Sequence, residues 1–472
     1  MLTLALTQHD WINLAYLAAA ICFILGLKMM GKMQSAARGN AVSAMGMLIA
    51  TVVTFFFISG GTSVSLIWVF IALIIGTAVG VWGALRVPMT DMPQMVGLLN
   101  GFGGIASMFV GLGDYAKIPT GMYDALPFDY TLATGLTILI GGVTFTGSLV
   151  AFGKLSGLKI TPTKPVQFAG GKLVIASLLL GGLLLVVLLI FKPTWGWTLA
   201  PLSLIALALG IVLVIGIGGA DMPVVISLLN SYSGIAASMA GFVLRNELLI
   251  ITGALVGASG IILTRIMCKA MNRSLLNVLF GGVGGAVAVA AGGAKGTHRE
   301  ASVEDVGIQL EAAGLVIVVP GYGMAVAQAQ HAVAELARLL EARGIPVKYA
   351  IHPVAGRMPG HMNVLLAEAN VPYESMLDLE QANAEFEQAG VALVIGANDV
   401  TNPAARHDKA SPIYGMPILD VDKARSVIVI KRSMNTGFAG VENELYFLPN
   451  CAMLFGDAKA MAQALVHEMK AE

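Results

Sequence analysis

The sequence predicts a multi-span α-helical membrane region followed by an α/β domain on an open, mostly parallel sheet. Three observations predict it. Of the 472 residues, 57% are apolar and only 12% charged, where a soluble globular chain carries roughly 25% charged. The apolar excess is gathered before residue 274 in runs of about 20 residues, the length a helix needs to cross hydrocarbon. From residue 314 onward, short β-branched runs alternate with helical segments, the pattern of strands joined by helices. A wholly soluble enzyme is excluded.

Nine spans are predicted, at 11–30, 39–58, 63–85, 92–112, 130–153, 172–191, 198–218, 222–244 and 247–267. Their alternate flanks differ in charge. One set holds Lys28, Lys32, Arg38, Arg86, Lys154, Lys159, Lys164, Lys172, Arg265, Lys269 and Arg273; the other holds Lys117, Lys192 and Arg245. The positive-inside rule then places the N-terminus outside and the C-terminal region in the cytoplasm. An odd number of spans requires the same. No basic residue precedes the first apolar run, which fits neither a cleaved secretory signal nor a transit peptide. Between the last span and the α/β part, residues 281–296 are glycine-rich and read as a flexible linker rather than a tenth span. The chain therefore divides into a membrane domain (1–273), a linker (274–313) and an α/β domain (314–472).

Net charge is zero, yet residues 1–273 carry 14 basic and 7 acidic side chains, and residues 274–472 carry 14 and 21. An acidic tail without a Lys/Arg cluster argues against nucleic acid. Cys22, Cys268 and Cys451 are too few and too scattered for a disulfide framework or a zinc site, so no metal is expected.

The membrane region contains a repeat. Asp91-Met92-Pro93, Leu98-Leu99-Asn100 and Gly104-Ile105-Ala106 recur at an offset of 130 residues as Asp221-Met222-Pro223, Leu228-Leu229-Asn230 and Gly234-Ile235-Ala236. Looser matches follow, Gly142 with Gly253 and Ser148 with Ser259. Asn100 and Asn230 lie nine residues beyond their Asp, about 13 Å along a helix and near mid-depth in the bilayer. Polar side chains there mark either a pathway or a helix–helix hydrogen bond. Asp91 and Asp221 suit first-turn positions that complement the helix dipole, or the mouth of a proton path. No span has a charged residue at its centre and every histidine lies outside the spans. A proton path would need water, hydroxyls such as Ser231, or a titratable group from a partner.

In the α/β part, a strand at 315–319 runs into Gly321-Tyr322-Gly323-Met324-Ala325-Val326 and a helix over 323–343. Strand, Gly-x-Gly turn and helix in that order are Rossmann-like and suit a dinucleotide. One glycine permits the tight turn, the other lets backbone approach a pyrophosphate, and the helix start offers N–H donors. An ordinary strand–helix turn is the alternative. Further strands are predicted at 346–351, 391–395 and 426–430, and a closing helix over 458–469; Cys451 lies in another strand-like run. A dinucleotide site selective for NAD places an acid after its second strand. Here that strand runs into His352-Pro353-Val354-Ala355-Gly356-Arg357, and the missing carboxylate favours NADP(H). Lys431-Arg432-Ser433, at another strand end, offers two cations and a hydroxyl for the 2′-phosphate. Gly396-Ala397-Asn398-Asp399 ends a strand at the ligand-binding edge, with Asp399 either a carboxylate beside the cofactor or a loop cap. Residues 435–440, with Gly437, Phe438 and Ala439, are small enough for a lid.

Together these motifs resemble the β subunits of proton-translocating NAD(P) transhydrogenases over essentially the whole chain. The resemblance rests on the duplicated Asp-Met-Pro helices, the Gly-Tyr-Gly-Met-Ala-Val-Ala turn, residues 352–363, 396–399 and 431–440. It implies hydride transfer from NADH on a partner α subunit to NADP⁺ bound here, coupled to inward proton movement, in a dimer of αβ units. It also implies a flipped NADP(H), with Lys431, Arg432 and Ser433 at the 2′-phosphate and Phe438 in the lid. Arg357 would face cofactor and partner domain, and Asp399 the nicotinamide end. Many family members have His where this chain has Asn100, and Tyr where it has Phe438. The family varies in which subunit carries the membrane His, which leaves room for a partner helix to supply it. The alternative function is an ion or solute transporter with a nucleotide-sensing cytosolic domain; it predicts mid-membrane charges or a carbonyl filter, and the sequence has neither.

Overall fold

A computed structural model of the chain describes residues 8–31, 33–59, 66–119, 121–162, 165, 166, 168, 170–280, 296–358, 360–437 and 439–471. The glycine run 281–285 of the expected linker, the lid residue Phe438, Lys32 and Lys164 lie outside the described residues. Among the described residues nine helices are long and apolar enough to cross a membrane. They are α1 (Gln8–Met30), α2 (Met33–Ser59), α3 (Leu66–Arg86), α4 (Met92–Ala116), α5 (Phe128–Leu155), α6 (Gly171–Phe191), α7 (Leu199–Ile215), α8 (Met222–Leu244) and α9 (Glu247–Ala270). They match the nine predicted runs. Several extend past the apolar stretch because polar residues at an end, such as Asp114 in α4, continue the backbone hydrogen bonds.

Contacts divide the chain into two compact units. One draws on Met1–Ser156, Gly171–Ile215 and Leu228–Ile261, the other on Gly157–Gly170, Gly216–Ser227 and Ile262–Glu472. In the first, α5 is the most enclosed span and packs against α4, α6 and α7. Small residues set the spacing. A Cβ on Gly104 of α4 would lie 2.7 Å from the Gly141 carbonyl oxygen and 2.8 Å from Thr144 Cβ, both on α5. Lipid removes the hydrophobic drive between helices, and close backbone approach through small residues replaces it. Thr134 and Thr144 donate to the carbonyls of Tyr130 (2.8 Å) and Ile140 (2.6 Å), and Thr146 to Leu207 of α7 (2.7 Å), so their hydroxyls are satisfied inside the protein.

The sequence repeat is also a backbone repeat. A turn of 3-10 helix ends at Asp91 and another at Asp221, and α4 and α8 begin at the next residue. Gly234, the counterpart of Gly104, meets Gly253 and Gly257 of α9. Gly101 packs on Ser148, and its counterpart Ser231 packs on Gly260. The contacts pair Gly141 with Gly253 and Ser148 with Gly260, so the looser matches expected from sequence are one residue out of register. Residue type alone does not fix register, whereas the closest backbone approach does.

The second unit carries the sheet. Beyond α10 (Leu275–Phe280), residues 299–301 pair with Met453 and cover the sheet edge, which blunts an otherwise open strand. Ser302 and Asp305 form a capping box that opens α11 (Val303–Glu311), as reciprocal side-chain bonds to orphan amides do. There follow β1 (Val316–Pro320), α12 (Tyr322–Val326), α13 (Gln330–Ala342), β2 (Val347–Ala350), α14 (His361–Glu368), β3 (Met376–Leu377), α15 (Leu379–Glu385), β4 (Val391–Ile395), α16 (Ala404–His407), β5 (Ser426–Lys431), β6 (Cys451–Phe455) and α17 (Ala458–Ala471). All strand pairs are parallel, in the order β3-β2-β1-β4-β5-β6. The strands β1 and β4 are buried throughout, as parallel strands covered on both faces must be. Chain order reverses between β1 and β4, the switch point where open sheets bind ligands. The single helix expected over 323–343 is two helices, α12 and α13, separated at Gln328, whose φ is +50°. The strand β3 was not anticipated, because two residues carry no period.

Candidate functional site

A cleft of about 640 Å³ opens at the carboxyl ends of β1, β4 and β5, within the ~300–1,000 Å³ usual for ligand sites. Its floor is the meeting of two glycine loops. A Cβ on Gly323 would lie 2.7 Å from the Gly396 Cα, and Gly396 itself has φ +65°. The Gly321 and Gly323 amides donate to the carbonyls of Ile395 and Gly396, each at 2.9 Å. The glycines are thus demanded by the crossing of these loops, and these two amides serve that crossing. Tyr322 and Val326 line the cleft, whereas Met324 and Ala325 are fully buried in the core below it.

Ala355 and Gly356 form one wall. Behind them His352 is 1% exposed; its Nε2 pairs with the Pro417 carbonyl (2.7 Å) and its Nδ1 accepts from the Val354 amide (3.2 Å). Burial pushes His352 down to about 4, so the ring is neutral and acts as a brace. Arg357 does not line the cleft. Its guanidinium lies 4.4 Å from the Tyr322 ring centroid, and its amide donates to His361 Nδ1 (3.1 Å).

The opposite wall is Asn398 and Asp399 after β4. Asp399 Oδ2 accepts the Ala439 amide at 3.0 Å, and Gly437 presses on Oδ1 closely enough that a Cβ there would lie 2.6 Å away. Gly437 and Ala439, of the segment expected as a lid, therefore rest on this carboxylate. The root of that segment is a buried asparagine set. Asn443 donates to the Asn398 carbonyl (3.0 Å), Asn402 donates to the Glu442 carbonyl (2.9 Å), and Tyr446 donates to Asn398 Oδ1 (3.1 Å). Burial pushes the Tyr446 phenol well up, so its hydroxyl stays a donor.

Lys431, at the end of β5, enters the cleft with Arg432 and Ser433. Its ammonium donates to the Asn435 carbonyl and lies 4.8 Å from the Tyr446 ring centroid. Burial lowers its pKa while Asp399 raises it. Among the described residues Lys431 makes no ion pair, which suits a ligand that brings its own anion. Sequence reading missed Gly456, Asp457 and Ala458 in the lining. A signal existed for Asp457: it follows an apolar run and starts α17, its Oδ1 accepting the Lys459 (3.1 Å) and Ala460 (3.3 Å) amides.

In the membrane region Asn100 is 7% exposed and Asn230 partly exposed. Asp91 is exposed and accepts from Gln94 Nε2 (3.2 Å). Asp221, just before the span that opens at Met222, is buried and takes both oxygens to Arg273 Nη1 at 3.1 and 2.9 Å. Burial raises its carboxyl above the usual range and Arg273 opposes that shift. Beside Arg273, Asn272 Nδ2 donates to the Tyr414 carbonyl (2.8 Å). The Ser231 hydroxyl, expected as a relay, donates to the Gly257 carbonyl at 2.6 Å and holds α8 on α9. Sequence reading did not single out Ser227 and Thr264, whose buried hydroxyls pair at 3.1 Å, because Ser and Thr in apolar runs give no distinguishing pattern.

A family model described as NAD(P) transhydrogenase beta subunit matches residues 12–468. A curated relative from Rhodospirillum rubrum, named NAD(P) transhydrogenase subunit beta, is 51% identical over 469 residues, covering 98% of this chain and 99% of its own length. A second, from a specified strain of that species, matches equally. With a transmembrane helical region, a parallel sheet and a cleft at its switch point, the chain belongs to the NAD(P) transhydrogenase beta subunit family.

Proposed function

We propose that the cleft binds NADP(H), with Lys431, Arg432 and Ser433 at the 2′-phosphate, the Gly321–Gly323 turn at the pyrophosphate, and Asn398 and Asp399 toward the nicotinamide under the lid. The chain is a subunit of a proton-translocating NAD(P) transhydrogenase and works with an α subunit. In the proposed division of labour, the α subunit holds NAD(H) and hydride passes from there to NADP⁺ held here. The transporter alternative is not supported by the family. What carries the reading is the Lys431 ammonium, inside the cleft and in no ion pair among the described residues, together with the lack of an acid after β2.

A bound nicotinamide supplies the carbon that takes or gives hydride. The chain's own residues orient and shield it. Asp399 holds the lid through Ala439, His352 braces the Ala355–Gly356 wall, and Arg357, stacked on Tyr322, is proposed to face the partner domain. The two dinucleotides differ only in a remote phosphate, so the redox step is nearly balanced and the gradient sets its direction. One proton moving down about 200 mV releases roughly 4.6 kcal/mol, which shifts the product ratio by about 10³. Asp91, Asn100, Asp221, Asn230 and Ser231 are the proposed path, with a partner helix supplying a titratable group, since Asn does not titrate. Coupling requires that proton occupancy change the affinity difference between NADP⁺ and NADPH, and the Asp221–Arg273 pair, one residue from the Asn272–Tyr414 contact, is placed to transmit it. We further propose a bacterial inner membrane, an external N-terminus, a cytoplasmic sheet domain and a dimer of αβ units.

Lys431→Ala tests the site. Loss of a charge-assisted contact should raise the KM for NADP(H) about 10- to 100-fold and leave that for NAD(H) unchanged. Equal shifts for both dinucleotides would refute the assignment.

A further inference from the structure

We infer that Tyr446 is a positioning residue for the extra phosphate: its ring seats the Lys431 ammonium without neutralising it, and its hydroxyl ties that seat to the strand end carrying Asp399. The inference rests on the reading of the cleft as an NADP(H) site. Tyr446 is 2% exposed and lies in the turn Glu444–Phe447, just after the lid. Its ring meets Lys431 at the end of β5 and its hydroxyl meets Asn398 beyond the end of β4. One side chain thus joins the Lys431 end of the cleft to its Asn398 wall.

A half-buried ammonium needs compensation, and a carboxylate is the usual source. A carboxylate in contact would cancel the field that a phosphate seeks, and each binding event would have to displace it. A ring face attracts the cation through its quadrupole and leaves the charge in place. The other partner, the Asn435 carbonyl, is neutral, and a phosphate dianion outcompetes it. Lys431 is therefore held and charged, with Asp399 acting on it only from beyond ion-pair contact. On the other side, the Asn398 carbonyl already accepts from Asn443 and from Thr401 Oγ1 (2.9 Å). The Tyr446 hydroxyl adds the bond that fixes the Asn398 side chain, next to the carboxylate on which the lid rests. The ring thus acts on phosphate affinity, and the hydroxyl on the reacting end.

That separation is measurable in the assembled αβ enzyme. Tyr446→Leu, which removes ring and hydroxyl together, should raise the KM for NADP(H) about 10-fold, near the upper range of a desolvated cation–π contact, and lower kcat only as far as loss of the hydroxyl does. Tyr446→Phe should hold that KM within about twofold and lower kcat about three- to tenfold, the loss of one buried hydrogen bond. Lys431→Ala combined with Tyr446→Leu should bind NADP(H) no more weakly than Lys431→Ala alone, because the ring acts only through the ammonium. Additive losses, or the same rise in the NADP(H) KM for Phe and Leu, would show that Tyr446 merely holds the fold, and would overturn the inference. Should the leucine variant fail to assemble, phenylalanine with a progressively fluorinated ring at this position preserves volume and drains the quadrupole. NADP(H) affinity should then fall stepwise with fluorine content; a flat series overturns the inference. An unchanged NADP(H) KM in Lys431→Ala would sink the phosphate clamp itself. A raised KM there, beside a wild-type KM in Tyr446→Leu, would sink only the role of Tyr446.

Discussion

The helices α4 and α8 share a frame and carry different polar loads. Both begin after a 3-10 turn ending in Asp, and both press a glycine, Gly104 or Gly234, onto the next helix. At the mouth they diverge: Asp91 is exposed and bound to Gln94, whereas Asp221 is buried and bound to Arg273. Across the seam the small and hydroxyl residues have changed sides, Gly101 facing Ser148 in one copy and Ser231 facing Gly260 in the other. The close approach was kept because backbone contact tolerates no alternative, while each polar group had only to find some partner. The second copy is where charge sits under tension. Breaking a buried ion pair costs far more than altering an exposed carboxylate, so Asp221, not Asp91, has leverage over the rest of the protein.

The largest expected effect tests the shared frame. Gly104→Leu and Gly234→Leu should each prevent assembly, at a cost on the order of 3 kcal/mol, read as loss of folded αβ complex on size-exclusion chromatography. If one copy accepts leucine, the frames are not equivalent. The asymmetry at the mouth comes next. Arg273→Ala strands the Asp221 carboxylate and should lower gradient-coupled transhydrogenation about 100-fold, from a penalty of roughly 3 kcal/mol. A comparable loss in Gln94→Ala, which removes only the partner of the exposed Asp91 and is expected to stay within about fivefold, would erase the distinction.

A buried titratable group in the sheet unit offers the opposite solution, neutrality in place of pairing. His352 sits at about 4 when folded, against about 6.5 in an unfolded chain. Between those values the unfolded chain binds a proton and the folded one does not. Stability from this group is therefore complete above pH 6.5 and declines as the pH falls toward 4, by up to about 1.4 kcal/mol per unit. Melting temperature against pH should show that slope, and His352→Gln should flatten it; an unaltered slope would show that other groups carry it.

Much of this was legible beforehand for definite reasons. Nine spans emerge from length and hydropathy alone, and four strands from continuous apolar runs between turn residues. Lys431, Asn398 and Asp399 were found because they end such runs at one edge of a parallel sheet. Asn402, Asn443 and Tyr446 were not, since their bonds join segments about 40 residues apart and leave no local mark. Met324 and Ala325 were placed in the cleft by motif, yet α12 turns them into the core.

Hydrophobic length and period are properties of neighbours along the chain, so the amino-acid order sufficed for the membrane-spanning region, the α/β class, the duplication and the family resemblance. Register, burial and partnership depend on which distant segments come together. Folding alone settled that Asp221 would face Arg273, that Ser231 would hold α9, and that Lys431 would rest on an aromatic ring. Each of these is a close contact between groups remote in sequence, and only packing in three dimensions creates it.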